Sequence, residues 1–130
     1  MTGRCLCGGV EFDLGPPLRE IFVCHCSLCR RAGTLAGAYT EAEIDTFHLG
    51  KSDTLAWYVD VNDRERGFCN RCGSILFWRS SADSISVSAG ALDDPPSGEL
   101  RIGEHIFVDS AAPWETVPHD APHRDIEPAE

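Results

Sequence analysis

Apolar and polar residues alternate with a two-residue period along several short stretches, as in Ile85-Ser86-Val87-Ser88 and Leu55-Ala56-Trp57-Tyr58-Val59-Asp60-Val61. Successive side chains of an extended strand point to opposite faces, so this period predicts strands with one buried face. Such runs, bounded by Gly, Pro and Asp, predict strands at 9–13, 20–24, 35–40, 46–49, 54–61, 74–78, 84–88 and 105–108. Helical period is scarce, and only 30–35 and 41–44 have room for about one turn each. The pattern therefore predicts an all-β (mainly β) domain with short irregular connections. Asp93-Asp94-Pro95-Pro96-Ser97-Gly98 reads as a loop. Near the C-terminus Pro113, Pro118, Pro122 and Pro128 exclude a regular helix or a central strand. That stretch is expected to cross the surface extended, anchored by Trp114 and Val117. The domain is drawn as 1–118, with 119–130 as a Pro-rich acidic tail.

Composition narrows the function. A chain of 130 residues builds one core. Hydrophobic residues at 42% and charged residues at 25% exclude wholesale disorder. No apolar run approaches the roughly 20 residues that a membrane span needs. No apolar signal segment follows Arg4, so the expected compartment is the cytoplasm. With 21 acids against 11 bases, the net charge is −10. Nucleic-acid binding by counterion release needs a dense basic surface, which this composition lacks. A local pocket for a small anion stays compatible, because the field in a cleft is not set by net charge.

Seven cysteines change the picture most, and they cluster. In a reducing compartment clustered thiols point to metal before disulfides. Cys69-Asn70-Arg71-Cys72-Gly73 has the shape of a zinc knuckle, in which the glycine lets the backbone fold beneath two sulfurs. Cys5-Leu6-Cys7-Gly8 offers a second pair. Structural zinc takes four ligands, so Cys5, Cys7, Cys69 and Cys72 make one closed site that clips distant parts of the chain together. Cys24, Cys26 and Cys29 remain, and three ligands with one open position is the arrangement of a catalytic zinc.

His25 lies between two of these cysteines, but in an extended segment it faces away from Cys24 and Cys26, which argues against it as a ligand. His48, His105, His119 and His123 read as surface residues or as supports behind the ligands. Two other schemes stay open at this point. One is a redox switch with a Cys26–Cys29 disulfide, although the βαβ context of thioredoxin-like dithiols is missing. The other is a single cluster that takes all seven sulfurs.

The segments Gly3-Arg4-Cys5-Leu6-Cys7-Gly8-Gly9-Val10, Cys24-His25-Cys26-Ser27-Leu28-Cys29-Arg30 and Phe68-Cys69-Asn70-Arg71-Cys72-Gly73-Ser74 resemble the glutathione-dependent formaldehyde-activating enzyme family, named also for its centromere protein V members. His105-Ile106-Phe107-Val108-Asp109-Ser110-Ala111-Ala112-Pro113-Trp114 is similar to its C-terminal signature, so the likeness spans about 3–117. The resemblance implies a β-tent, Mss4-like fold of twisted antiparallel sheets. It implies two zinc ions per chain: a structural one on Cys5, Cys7, Cys69 and Cys72, and a reactive one on Cys24, Cys26 and Cys29 that a three-ligand site gives up readily. It also implies a carbon–sulfur lyase, acting on a small thiol or thiol–aldehyde adduct as glutathione and formaldehyde combine into S-hydroxymethylglutathione.

The partners expected are thus a small-molecule thiol such as glutathione, with no nucleic acid and no membrane. A non-enzymatic zinc-binding interaction module and a thiol redox sensor are the alternatives on the same fold. Carboxylates of glutathione would need cations, for which Arg30, Arg31, Arg71 and Arg79 are candidates, each read first as a solvent-facing charge or a counter-charge to thiolates. Trp57, Tyr58, Phe77 and Trp78 read mostly as core. No general base is identifiable, and His48 and His105 are the residues to place relative to the cysteine trio.

Overall fold

A computed structural model describes residues 1–94 and 100–118, together with the backbone of 123–124. Two sheets account for the architecture. The smaller is antiparallel and holds β1 (Thr2–Arg4), β2 (Val10–Leu14) and β5 (Phe47–Ser52) in the order β1-β2-β5. The larger contains β3 (Ile21–Cys24), β4 (Gly37–Glu43), β6 (Leu55–Val59), β7 (Glu65–Cys69), β8 (Ile75–Arg79), β9 (Ser84–Ser88), β10 (Ile102–Ile106) and β11 (His123–Arg124). Its order is β11-β10-β3-β4-β9-β8-β7-β6. The expected mainly β fold is therefore present. Its pairings are antiparallel as anticipated except at β10, which runs parallel to both β3 and β11.

The core forms where the sheets face each other. Along β2, Val10, Phe12 and Leu14 are buried while Glu11 and Asp13 point outward, as a two-residue period demands. They join Leu76 and Phe77 of β8 and Ile85 and Val87 of β9 in one cluster. Phe77 is its hub: Phe12 meets it edge-on at 5.1 Å and Phe47 at 5.2 Å, so both outer strands of that contact are tied to the large sheet. Edge-to-face rings add about 0.5–1.5 kcal/mol per pair beyond area burial. A second cluster lies apart from the first and is built from Phe22, Tyr39, Ile106 and the sulfurs of Cys24, Cys26 and Cys29. This second core carries the chemistry.

The structure departs from the sequence pattern at definite places. Residues 41–43 continue β4 rather than turning, and a short turn follows only at Ile44–Thr46. The helical turn forms earlier and longer than predicted, as α1 (Ser27–Gly33). Strand β7 is charged at its start and was not predicted; Glu65 faces Arg79 across the sheet and bonds it, so cross-strand pairing replaces apolar alternation. Strand β10 ends at Ile106, because Phe107 takes a left-handed conformation (φ 55°).

Trp114 is no anchor, being 70% exposed, and the C-terminal segment is held instead by Ala112 and Glu115. Of the four aromatics read as core, Phe77 is buried, Trp57 stacks on it with its rim in solvent, and Tyr58 is 62% exposed on the edge strand β6. The loop predicted at 93–98 and the tail at 119–130 lie largely outside the described residues, including the side chains of His119 and His123. Among the described residues no helix is long and apolar enough to cross a membrane.

Replacing Phe77 with Ala should cost about 3–5 kcal/mol in urea unfolding, as a large-to-small change at a hub does. Val61→Ala, at a side chain that is 98% exposed, should stay within about 0.5 kcal/mol. Equal losses at the two positions would show that the Phe77 cluster does not carry the fold.

Candidate functional site

Two cysteine groups form, and they divide as the spacing predicts. The sulfurs of Cys5, Cys7, Cys69 and Cys72 lie within 4.8 Å of one another, and so do those of Cys24, Cys26 and Cys29. None is in a disulfide. In the four-sulfur group both pairs end in a glycine with φ +79°, Gly8 and Gly73, so each turn folds back beneath its sulfurs by a backbone route that side chains disfavour. Backbone bonds close the turns, Gly8 N–H to Cys5 O and Gly73 N–H to Cys69 O. Amides then point at sulfur: Val10 N–H donates to Cys5 Sγ, and Arg71 and Cys72 N–H donate to Cys69 Sγ.

The distances test the group against a metal. Cys5 Sγ and Cys7 Sγ stand 3.7 Å apart, as do Cys7 Sγ and Cys69 Sγ. A tetrahedron of sulfurs with metal–sulfur bonds of about 2.3 Å has edges of about 3.8 Å. A disulfide needs about 2.05 Å. The donor set therefore fits a tetrahedral thiolate site. The thiols differ in how readily they ionise. Cys72 is lowered to about 5, first by the Ser74 hydroxyl at 3.2 Å, and Cys69 is lowered because the Thr54 hydroxyl and two amides outweigh desolvation. Cys7 is raised to about 11: the Gly9 amide pulls it down, but desolvation and the bonds it shares with Cys5, Cys69 and Cys72 win.

The trio arises from one turn. Cys24 ends β3, Cys26 caps α1, and Cys29 lies one helical turn on, where its N–H donates to Cys26 Sγ at 3.3 Å. A sulfur thus does the work of the usual N-cap oxygen. Cys26 is held down to about 2 by hydrogen bonds from Cys24 and Cys29 and by the Cys29 and Leu28 amides. Cys24 is pushed up by its bonds to Cys26 and Cys29 and then by burial. On Cys29 the Cys24 thiol works to lower the value, but Cys26 and burial outweigh it and hold the group at about 11. Three buried sulfurs with one anion among them form a cage that a soft dication completes.

The trio lines a cavity of about 100 Å³ with Phe22, Tyr39, Trp78, Ile106, Arg64 and Arg66. An adjoining cleft of about 280 Å³ shares Leu28, Arg64, Arg66 and Trp78, and adds Arg31, Tyr58 and Asp60. Arg64 is bonded to Asp60 at 2.9 Å and Arg79 to Glu65. Arg66 differs, since its described partner is the Tyr39 hydroxyl at 3.3 Å and among the described residues it faces no carboxylate. Burial raises Tyr39 to about 12, with Cys29 adding to it, so the phenol is protonated at neutral pH.

A model of the glutathione-dependent formaldehyde-activating enzyme matches residues 1–110. The chain belongs to that family. A protein of Halomonas elongata named "Putative glutathione-dependent formaldehyde-activating enzyme" is 29% identical over 126 residues, 88% of this chain and 78% of the relative. A crystal structure of a Rhodobacter sphaeroides protein superposes with a TM-score of 0.63 at 25% identity, over 77% of this chain and 97% of the other.

The structure adds residues that sequence reasoning missed. Tyr39 and Arg66 were not singled out, although Arg66 sits next to Glu65 in a run that reads as loop. Of the cations proposed earlier, Arg31 lines the cleft, Arg79 is committed to Glu65, and neither Arg30 nor Arg71 lines either cavity. His25 turns away from the cavity as expected and meets His105, while His48 is exposed on the small sheet.

The position of Tyr39 depends on its neighbour two residues back. A Cβ at Gly37 would lie 2.4 Å from the Tyr39 ring. Gly37→Ala should therefore displace the ring, break the bond to Arg66 and cost about 1–3 kcal/mol as overpacking does. A thermal melt together with a structure of the variant checks this, and an unmoved ring would refute it.

Proposed function

We propose that this chain is a zinc-dependent carbon–sulfur lyase that joins and releases the sulfur of a small thiol and the carbon of an aldehyde, with glutathione and formaldehyde as the pair that the family's name suggests. One observation carries the reading: three metal-competent sulfurs open onto a small apolar cavity whose mouth holds a guanidinium with no described carboxylate partner. Cys5, Cys7, Cys69 and Cys72 are assigned a structural zinc, and Cys24, Cys26 and Cys29 a reactive one. A zinc bound at the trio supplies Lewis acidity, lowering the pKa of a thiol or polarising a carbonyl.

The remaining work belongs to the chain. The cavity is lined by Phe22, Trp78 and Ile106, which exclude water and strengthen every charge interaction inside. It has room for the sulfur and a one- or two-carbon aldehyde, and the arms of a longer thiol extend into the cleft. Arg66 is placed to hold a carboxylate there, with Arg31 and Arg64 beside it. The Tyr39 phenol keeps the guanidinium aimed. The net change is redox-neutral. A carbon–sulfur bond forms, the carbonyl π bond opens, and the proton lost by the thiol ends on the former carbonyl oxygen. Holding both partners in one cavity is itself a large source of rate.

Two cysteine substitutions test the division of labour. Cys26→Ser should leave a folded domain that has lost one metal by native mass spectrometry and no longer speeds thiol–aldehyde exchange followed by NMR. Cys72→Ser should impair folding. A globally unfolded Cys26→Ser chain, or a soluble and active Cys72→Ser chain, contradicts the assignment.

Arg66→Ala tests the substrate class. A charge-assisted hydrogen bond contributes about 1.5–3 kcal/mol, so KM for a carboxylate-bearing thiol should rise about 10- to 100-fold while KM for 2-mercaptoethanol stays nearly constant. Equal changes for both thiols would make Arg66 a counter-charge to the trio and not a substrate anchor.

A further inference from the structure

Behind the trio, away from the cavity, lies a buried polar chain that the reaction does not use. His25 is wholly buried although it is flanked by two of the cysteines. Its Nε2 stands 2.9 Å from His105 Nδ1, and the two rings stack with centroids 5.2 Å apart. Its Nδ1 lies 3.1 Å from Glu115 Oε1. Its backbone N–H donates to Ile106 O at 2.9 Å, so both main chain and side chain of this one residue are held. Glu115 itself is set by a turn in which its N–H donates to Ala112 O.

We infer that Glu115 is a positioning residue, which through His25 holds the Cys24–Cys29 turn in the shape that binds the reactive metal. The inference rests on the reading of the trio as a metal site. A buried carboxylate is costly unless its oxygens are satisfied. Here the His25 Nδ1–H is out of line with Glu115, and Glu115 Oε2 has no hydrogen-bond partner among the described residues. A carboxylate placed for packing alone would be replaced by an apolar residue at no loss. What it does achieve is orientation. Beside Nδ1 it draws the imidazole proton to that nitrogen, which leaves Nε2 to accept from His105, and the ring is then held by a hydrogen bond at Nε2 and by the carboxylate's charge at Nδ1.

Because His25 lies between Cys24 and Cys26, a fixed ring fixes the turn from which those sulfurs project. Carboxylates behind metal-binding histidines act in this way, and losing one typically weakens metal affinity by about 10- to 100-fold. Glu115 lies beyond the residues that match the family model, in the C-terminal segment of this chain.

The test uses the full chain as wild type, Glu115→Gln and Glu115→Ala, loaded with zinc or with cobalt(II). Native mass spectrometry counts metals, a Cys26→Ser chain identifies which is lost, and transfer to a chromogenic chelator gives the rate of loss at each site. Wild type should hold two metals. In Glu115→Ala the trio's metal should be lost about 10- to 100-fold faster, with an intermediate rate for Glu115→Gln, whose amide oxygen keeps a partial negative charge beside Nδ1. The four-sulfur site should release its metal at the wild-type rate. The cobalt ligand-field bands of the trio should shift in both variants.

Wild-type retention at the trio in both variants overturns the inference while leaving the proposed function intact. So does equal loosening of both metals or a failure to fold, which would make Glu115 a general structural residue. A wild type that binds one metal overturns both together.

Discussion

The 3.7 Å contact between the sulfurs of Cys7 and Cys69 joins segments 62 positions apart, and the rest of the fold is arranged about it. Cys5 and Cys7 follow β1 in the small sheet, whereas Cys69 ends β7 and Cys72 precedes β8 in the large one. Bringing four sulfurs to one point therefore fixes how the sheets face each other. Phe12 and Phe47 can then reach Phe77 only in that arrangement. A domain of this size has a modest core, and metal binding at such a clip is folding free energy, about 10–16 kcal/mol in small zinc modules. Both the glycines at φ +79° and the amides aimed at sulfur are local devices that make the clip cheap to form.

The large sheet also carries the second group of sulfurs, several strands away from the first. The trio sits where β3 meets α1, between two surroundings of opposite character. On the cavity side are rings and guanidinium groups, which suit an incoming anion with an apolar reacting end. On the other side are His25, His105 and Glu115, which suit a turn that must not move. A site that binds and releases substrate needs one open face. The division between a closed four-sulfur site and an open three-sulfur site extends to the residues behind each: backbone amides and hydroxyls for the first, a buried histidine pair for the second.

How much of this was legible in the sequence follows from which interactions are local. The cysteine groups were readable because their spacing lies within single turns and each knuckle carries its own glycine. Strands β2 and β9 were readable because apolar residues alternate along them, and β8 because it is a short continuous apolar run. Strand β7 was not, because Glu65 is stabilised by Arg79 from another strand, and a charged residue paired across a sheet has no signature in its own segment. Arg66 was invisible for the same reason: its partner Tyr39 is 27 positions away. Trp114 misled because size suggests burial, whereas the contact that fastens the segment is made by the carboxylate one residue later. The cations beside the cysteines in sequence proved the wrong ones to weigh, since proximity along the chain says little about which side chain a sheet brings to a cavity.

In the proposed reaction the cavity constrains the aldehyde and the cleft constrains the thiol. On the proposed function, a cavity of about 100 Å³ beside the sulfurs admits an aldehyde of a few atoms, and its polar lining residues among those described are the trio, Tyr39, Ser86 and the two arginines. Hydrophobic pockets of this kind distinguish homologous partners only weakly, by about 1–3 kcal/mol per methylene. Discrimination among thiols must then arise in the cleft, where Arg31, Arg64 and Arg66 lie against Tyr58 and Trp78. Arg64 is already committed to Asp60, so its charge is largely spent before a substrate arrives. Arg66 has no carboxylate partner among the described residues and donates instead to the Tyr39 hydroxyl, so its charge stays available in a chain with 21 acids and 11 bases. Its charge works against the rise of both Cys29 and Tyr39, which burial and the neighbouring sulfurs still hold high. An anion in the cleft would offset that charge, so on the proposed function the thiol's tail acts on Cys29 and Tyr39 through a single side chain.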